Sequence, residues 1–189
     1  MSSHHIIREK QEPALLVLGM DNFDDELLGQ LLEWSPTLMV TEIMAEKLNA
    51  YGIKVDWIIT DNQDGGIQSD VKLLKVNNEP LISAALKYLT ANNYPAVNVV
   101  TDDFNLDDYL PFAEQINLVI FYNNQKIYPI TSGFSKWKPA GETIQLISSP
   151  TNLQFTGLDR ESGTLFKTFH DGFFTLQFDD PFIVVAEPL

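Results

Sequence analysis

The segment Thr37–Asp64, TLMVTEIMAEKLNAYGIKVDWIITDNQD, decides how the rest of the chain is interpreted. It opens with a short apolar run at residues 38–41 and continues with a helical pattern from Met44 to Tyr51. The helix is predicted to stop at Gly52, because glycine commonly ends helices. A second apolar run follows at residues 55–60. A strand, a helix and a strand in this order predict two parallel strands joined by a crossover.

The same alternation extends over the first 110 residues. Further strands are predicted at residues 15–18 and 96–101, and Pro80 suits the first turn of a helix. Asp21 and Asn22 stand where they can cap another helix. Four strands with helices between them predict a Rossmann-like, doubly wound α/β layer.

From residue 118 onward the pattern becomes all-β. Short apolar runs recur about every ten residues, separated by Gly, Pro, Asn and Asp, as in a β-sandwich or a barrel. Asn123-Asn124 is a favourable turn pair between the first two of these runs. We therefore predict an α/β domain over residues 1–116 and a β-sandwich domain over residues 117–189.

Composition limits the partners and the compartment. The formal net charge is −14, and residues 1–110 carry 18 acidic against 7 basic side chains. A surface of this sign disfavours nucleic acid and anionic membrane. The absence of cysteine excludes disulfides, thiolate nucleophiles and iron–sulfur clusters. No apolar run reaches the roughly 20 residues of a membrane span, and the polar start is unlike a signal peptide, so we expect a cytoplasmic protein.

Two acidic segments follow predicted strands, at the edge of an open sheet where ligands bind. Asp61-Asn62-Gln63-Asp64 comes directly after the third strand, and its carboxylate and amide oxygens suit Mg²⁺. The alternative is a plain turn, since Asp, Asn and Gly are turn formers. The segment Asp102–Asp108 holds four carboxylates in seven residues. It suits a cation or, alternatively, a solvated loop that ends in a helix cap.

Cationic and aromatic residues give weaker indications. No glycine-rich phosphate loop is present, and the first 110 residues contain no arginine beyond Arg8. A triphosphate site in this half would therefore lack the guanidinium groups that phosphoryl transfer usually recruits. Trp137, flanked by Lys136 and Lys138, is the tryptophan that best suits an exposed or interface position.

The order of these elements resembles that of the thiamine pyrophosphokinase family over nearly the whole chain. Thr37–Asp64 carries the best match: Gly52-Ile53 is kept, and Asp61 falls on the first aspartate of the family's Gly-Asp-x-Asp-Ser motif. In the same motif Gln63 replaces the second aspartate and Asp64 replaces the serine. One of the two aspartates of the motif is therefore kept.

The other motifs of the family are altered. The family's Asp-x-Gly corresponds to Glu42-Ile43-Met44, and its Asp-x-Thr-Asp at a helix start corresponds to residues 78–81, where Glu79 is the remaining acid. Asp107 matches the aspartate of the family's Gly-Gly-Arg-x-Asp-His, whose arginine, histidine and glycines are absent. A Ser-Asn-Glu that lines the family's thiamine pocket has no counterpart between Thr168 and Phe173.

The resemblance implies a homodimer in which an α/β domain is joined to a β-sandwich, and an ATP- and Mg²⁺-dependent transfer of pyrophosphate to thiamine. We expect that transfer to be reduced or lost, because it depends on positioned metal and cationic groups. One alternative is an active thiamine diphosphokinase with substitute ligands, and a further alternative is an acidic protein-interaction module. For an active enzyme, Asp61 and Asp107 are the predicted catalytic residues, Asp61, Gln63 and Asp64 the predicted Mg²⁺ ligands, and Glu42, Glu79 and Trp137 the predicted cofactor-binding residues.

Overall fold

The computed structural model describes residues 12–61 and 71–189. The chain divides into two compact units, one ending at Leu118 and the other running from Val119 to Leu189. None of the helices in the described residues combines the length and the apolarity needed to cross a bilayer. The first unit mixes helices with strands, and the second is built from strands.

The first unit is an open parallel sheet with helices along the chain between its strands. Its described elements are β1 (Ala14–Val17), α1 (Asp25–Leu32), β2 (Leu38–Thr41), α2 (Glu42–Ala50), β3 (Trp57–Thr60), β4 (Lys72–Lys75), α3 (Leu81–Ala91), β5 (Ala96–Val100) and two short 3₁₀ turns, Leu106–Asp108 and Leu110–Phe112. The strand order is β5-β1-β2-β3-β4, and each neighbouring pair is parallel. The carboxyl ends of these five strands therefore meet at one edge.

Helix α1 starts at a different residue from the one the sequence predicts. Oδ1 of Asp24 accepts a hydrogen bond of 2.9 Å from the N–H of Leu27, so Asp24 is the capping residue. The prediction that Asp21 and Asn22 cap this helix was wrong. All of these side chains are suitable caps, and the three-residue spacing from the cap to the bonded N–H selects Asp24.

Helix α2 begins directly at the end of β2. Oγ1 of Thr41 accepts a hydrogen bond of 3.3 Å from the N–H of Met44, which makes Glu42 the first helical residue. The helix thus starts two residues earlier than predicted. Gly52 ends it as predicted, and its N–H donates to the carbonyl of Asn49 at 2.9 Å. Glu42 is consequently held at the sheet edge.

The sheet has five strands rather than the four predicted. Strand β4 pairs in parallel with β3 from Trp57 and Lys72 to Thr60 and Lys75. Its sequence, KLLK, has a lysine at each end, which suits an exposed edge strand but gives too short a pattern to predict one. The strand brings the connection that follows it beside the end of β3, where the N–H of Val76 donates to the carbonyl of Thr60 at 2.9 Å.

The core of the first unit is centred on its middle strands. All four residues of β1 and residues 38–40 of β2 are buried. Continuous apolar burial of this kind is typical of parallel strands covered on both faces. Helix α3 contributes the buried side chains Ile82, Ala84, Ala85, Leu86 and Leu89.

The second unit consists of antiparallel strands. Its strands, with β6 leading into it, are β6 (Asn117–Tyr122), β7 (Gln125–Ile130), β8 (Phe134–Lys138), β9 (Thr143–Leu146), β10 (Gln154–Thr156), β11 (Leu158–Ser162), β12 (Leu165–Thr168), β13 (Gly172–Gln177) and β14 (Ile183–Pro188). Six of them pair in the order β11-β12-β9-β14-β7-β6, and the other three form a sheet in the order β10-β13-β8. The apolar core draws on both sets, including Ile130, Ile144, Leu146, Phe166, Phe174 and Leu176.

The predicted hairpin turn at Asn123-Asn124 is confirmed, and it joins β6 to β7. Asn123 and Asn124 both have positive φ, 49° and 58°, as a tight turn that matches the strand twist requires. Strands β8 and β11 were not predicted. Only Leu158 of β11 is buried, and β8 reads FSKWK, so neither shows a clean apolar alternation.

Candidate functional site

The carboxyl ends of β2, β3 and β4 open onto a cleft of about 760 Å³. Ligands of open parallel sheets bind outside this edge, because the loops that leave the strands form a crevice there. The cleft is lined from three segments: the end of β2 with the start of α2, the end of β3, and the connection from β4 to α3. Its lining residues are Thr41, Glu42, Ile43, Ile59, Thr60, Asp61, Val76, Asn77, Asn78, Glu79, Pro80 and Leu81.

Glu42 is held in this cleft by a hydrogen bond to a buried side chain. Its Oε1 accepts a hydrogen bond from Oγ1 of Thr60, a residue that is only 2% exposed. Because Thr60 ends β3 and Glu42 opens α2, this bond joins two elements at the sheet edge. The position at a helix start also favours a negative charge, since the N-terminal end of the helix dipole is positive.

Asp61 and Glu79 bring two further carboxyl groups to the cleft. Asp61 is the exposed residue directly after β3. Glu79 is half-buried just before α3, and its Oε2 lies 2.5 Å from Nζ of Lys87 on that helix. Three of the residues proposed from the sequence, Glu42, Asp61 and Glu79, therefore line one cleft.

The described lining of the cleft contains no lysine or arginine. The sequence of residues 62–70 also contains no lysine and no arginine. Apart from its three carboxyl groups, the lining consists of hydroxyl, amide and apolar side chains. Placing a phosphate against these carboxylates would cost roughly several kcal/mol, because like charges repel. Such a surface therefore favours a cation or a neutral group over a phosphate.

The predicted metal ligands are placed only in part. Gln63 and Asp64 lie outside the described residues, so only Asp61 of the three has a described position. Within residues 12–61 and 71–189, no three His, Cys, Asp or Glu side chains are grouped so that they can hold a metal ion. The three acids of the cleft do not form a metal centre by themselves.

Asp107 lies elsewhere in the first unit. It is exposed in the first 3₁₀ turn, where its N–H donates to Oδ1 of Asn105 at 3.4 Å, and it is not among the described residues that line the cleft. Beside it, burial raises the pKa of Tyr109, and the carboxylates of Asp108 and Asp103 raise it further. This phenol therefore keeps its proton at neutral pH. The catalytic role of Asp107 stays a prediction.

Trp137 belongs to the second unit, on strand β8. Its side chain is 53% exposed, as the sequence predicts, and the register places it opposite Phe173, which is 66% exposed. Lys136 and Lys138 alternate with Trp137 along the strand and point to the opposite face, so they are more buried than it is. The outer face of the three-stranded sheet thus presents two neighbouring aromatic rings.

A polar contact that the sequence did not predict lies where β1 and β5 end. The N–H of Asp21 donates to both carboxylate oxygens of Asp102, at 3.0 Å each. Nζ of Lys47 lies 3.3 Å from Oδ1 of Asp21. The sequence shows Asp102 only as part of the acidic segment Asp102–Asp108. Its contact cannot be derived from local patterns, because it joins residues 81 positions apart.

Solved structures with a similar fold include thiamine pyrophosphokinases. The enzyme from Bacillus subtilis is 13% identical, with a TM-score of 0.67 over 94% of this chain and 99% of that one. The enzyme from Geobacillus thermodenitrificans is 10% identical, with a TM-score of 0.69 over 93% and 97%. That from Candida albicans is 12% identical, with a TM-score of 0.66 over 94% and 89%. The resemblance inferred from the sequence is therefore confirmed for the fold.

The sequence itself gives no such match. No protein-family model matches it, and no curated protein matches it. At identities of 10–14% to the solved structures, the likeness concerns the fold and does not extend to the activity.

Proposed function

We propose that this chain, which has the fold of thiamine pyrophosphokinases, is a thiamine pyrophosphokinase-like protein whose transfer of pyrophosphate from ATP to thiamine is greatly reduced or lost. The observation that carries the proposal is the charge of the cleft. It is lined by Glu42, Asp61 and Glu79, and its described lining has no cationic side chain. A triphosphate bound there meets repulsion where it needs compensation.

The expected decrease in the rate of pyrophosphate transfer is large enough to support loss of the activity. Catalysis of phosphoryl transfer is almost entirely positioning and electrostatic stabilisation. Removing one stabilising group commonly lowers the rate by ~10²–10³, or about 3–4 kcal/mol. By comparison with the family motifs, this chain lacks a metal aspartate, the helix-start aspartates and an arginine. Such losses do not add, but together they leave little rate.

An active thiamine diphosphokinase with substitute ligands is the second candidate. One observation favours it: Glu42 and Glu79 line the same cleft as Asp61, so they are placed where they can replace lost acids. In this case Mg²⁺ would be held by Asp61, Gln63 and Asp64, and Asp107 would act with Asp61. Mg²⁺ would supply charge compensation for the phosphates of ATP.

We further propose how the two parts of the chain divide the work. Residues 1–116 would form a Rossmann-like, nucleotide-binding-like domain, and residues 117–189 a β-sandwich that contacts thiamine or a similar small molecule through Trp137. The exposed rings of Trp137 and Phe173 also suit a homodimer, because aromatic side chains are enriched at protein interfaces. The absence of cysteine agrees with a cytoplasmic protein.

The deciding experiment measures AMP release with ATP, Mg²⁺ and thiamine. We expect the wild-type chain to release no more AMP than the Asp61→Asn variant, which removes the acid that is both a predicted Mg²⁺ ligand and a predicted catalytic residue. Asp25→Asn, which changes an exposed residue at the start of α1, is the matched control for loss of one negative charge.

A result against the proposal is thiamine-dependent AMP release at an ordinary enzymatic rate, about 1 s⁻¹ or more, that Asp61→Asn abolishes and Asp25→Asn preserves. The second candidate then stands. Thermal unfolding gives an independent check, since a ligand at a hundred times its dissociation constant adds about 2.7 kcal/mol of stability. We expect no shift of the melting temperature with ATP and Mg²⁺.

A further inference from the structure

The strand order of the first unit changes direction at β1. Strand β1 pairs with β2 on one side and with β5 on the other, while β2, β3 and β4 continue in one direction. Strands β2 to β4 are thus added on one side of β1 and β5 on the other, so the order of strand addition reverses between β1 and β5. The loops that leave two such strands diverge, and the space between them is a common ligand position in open parallel sheets.

In this chain a carboxylate lies against the loop that leaves β1. Both oxygens of Asp102, just after β5, accept the N–H of Asp21 at 3.0 Å. Backbone N–H groups in loops after such strands commonly bind the phosphates of nucleotides. The N–H of Asp21 is instead bonded to an anion that belongs to the protein.

The contact depends on the glycine at position 19. An added β-carbon there would lie 2.4 Å from Oδ2 and 2.9 Å from Cγ of Asp102. Any other residue at this position would push the carboxylate away from the loop. Gly19 and Asp102 are thus fitted to each other, and the two observations are independent of the charge of the cleft.

We propose that Asp102 is a specificity-determining residue that excludes phosphate-bearing ligands from the carboxyl ends of β1 and β5, by holding its own carboxylate on the loop N–H that a phosphate would use. This role of Asp102 deepens the proposed loss of nucleotide use, and it rests on that proposal for the identity of the excluded ligand as a nucleotide. Its test measures binding and needs no catalysis, so the two proposals fail separately.

The test compares Asp102→Asn with Asp103→Asn, because both remove one exposed negative charge and only Asp102 contacts the loop. Inorganic phosphate is titrated into each ¹⁵N-labelled protein, and the amide signal of Asp21 is followed by NMR. We expect phosphate to bind Asp102→Asn at least about tenfold more tightly than it binds wild type or Asp103→Asn. Asp102→Ser, with a shorter side chain, should gain the same binding if the amide variant folds poorly.

A second arm uses ATP with Mg²⁺ in place of inorganic phosphate. A larger perturbation that includes the Asp21 amide identifies a nucleotide site, whereas an equal one identifies a general phosphate site, and both support the proposal. The proposal is overturned if Asp102→Asn and Asp102→Ser bind phosphate no better than wild type. It is also overturned if Asp103→Asn gains as much, or if the amide of Asp21 does not respond.

Discussion

At the scale of single residues, we expect the charge of the lining to decide which ligands the cleft accepts. Glu42, Asp61 and Glu79 reach it from three different segments, and Glu79 forms an ion pair with Lys87. A site with this lining attracts cations and repels phosphates. The same sign rule applies to the Asp102 carboxylate at the neighbouring strand ends. We therefore expect single acids at this edge to decide which class of ligand can bind there.

Two glycines of the second unit share the same backbone conformation but differ in the space around them. Gly133 and Gly157 both have positive φ, 86° and 75°. A β-carbon on Gly133 would meet nothing within 4 Å, whereas one on Gly157 would lie 2.7 Å from the carbonyl oxygen of Phe173. We expect Gly133→Ala to lower the free energy of unfolding by about 1–2 kcal/mol, the cost of a left-handed alanine. Gly157→Ala should cost at least about 1 kcal/mol more, because backbone has to move.

Urea unfolding followed by circular dichroism measures both effects. Equal losses in the two variants would contradict the prediction, since they share the backbone strain and differ only in the space around the β-carbon. An unchanged m-value is the control that the unfolding transition itself is the same.

At the scale of elements, one carboxylate links β14 to β8. Glu187 of β14 is 5% exposed, and its oxygens lie 2.7 Å from Nζ of Lys136 and 2.6 Å from Nζ of Lys138. The hydroxyl of Tyr128 on β7 also donates to it. Three strands from the two sets of the second unit therefore meet at a single side chain.

We expect Glu187→Gln to lower the free energy of unfolding by about 3 kcal/mol, because it leaves two lysines without their partner in a largely buried place. The estimate is at the low end for buried pairs, since Lys136 is 37% exposed. The matched control is Glu161→Gln, which breaks the exposed pair of Glu161 with Lys167 and should cost less than about 1 kcal/mol. Denaturant unfolding of both variants checks this, and similar losses would refute the inter-strand role of Glu187.

The elements also differ in how far the sequence predicts them. Helix α2 and the β6–β7 turn follow from local features, the stop at Gly52 and the pair Asn123-Asn124. Strands β4, β8 and β11 were missed because their residues are short, charged or mostly exposed, and pairing with a neighbour makes them strands. Local propensity does not encode that pairing.

At the scale of the whole molecule, the net charge of −14 opposes compactness by self-repulsion. We expect the melting temperature to rise when salt increases from about 0.02 M to about 0.2 M NaCl, because the Debye length falls to about 10 Å or below. A change of 1 kcal/mol corresponds to about 2–4 °C for a chain of this size.

The control is a variant in which three exposed acids of the first unit are neutralised, Glu33→Gln, Glu46→Gln and Glu114→Gln. Its response to salt should be smaller than that of the wild type. A wild-type melting temperature that does not change with salt, or an equal response in both proteins, would show that self-repulsion is not a significant destabilising factor.

The sequence by itself determined the alternation of strands and helices, the change to an all-β pattern near residue 118, and the position of Asp61 and Glu42 at strand ends. These features depend on the periodicity of apolar residues and on capping side chains, and both are visible within a few consecutive residues. The resemblance to thiamine pyrophosphokinases also came from the order of these local elements, and it holds for the fold. The roles of the site residues stay predictions.

Only the tertiary structure decided which strand ends become neighbours. The pairing of β4 with β3 brings Glu79 to the cleft of Asp61, and the pairing of β5 with β1 brings Asp102 onto the N–H of Asp21. Such contacts join residues that are far apart in the chain. Their formation depends on the burial and hydrogen bonding of the whole sheet, which no short stretch of sequence contains.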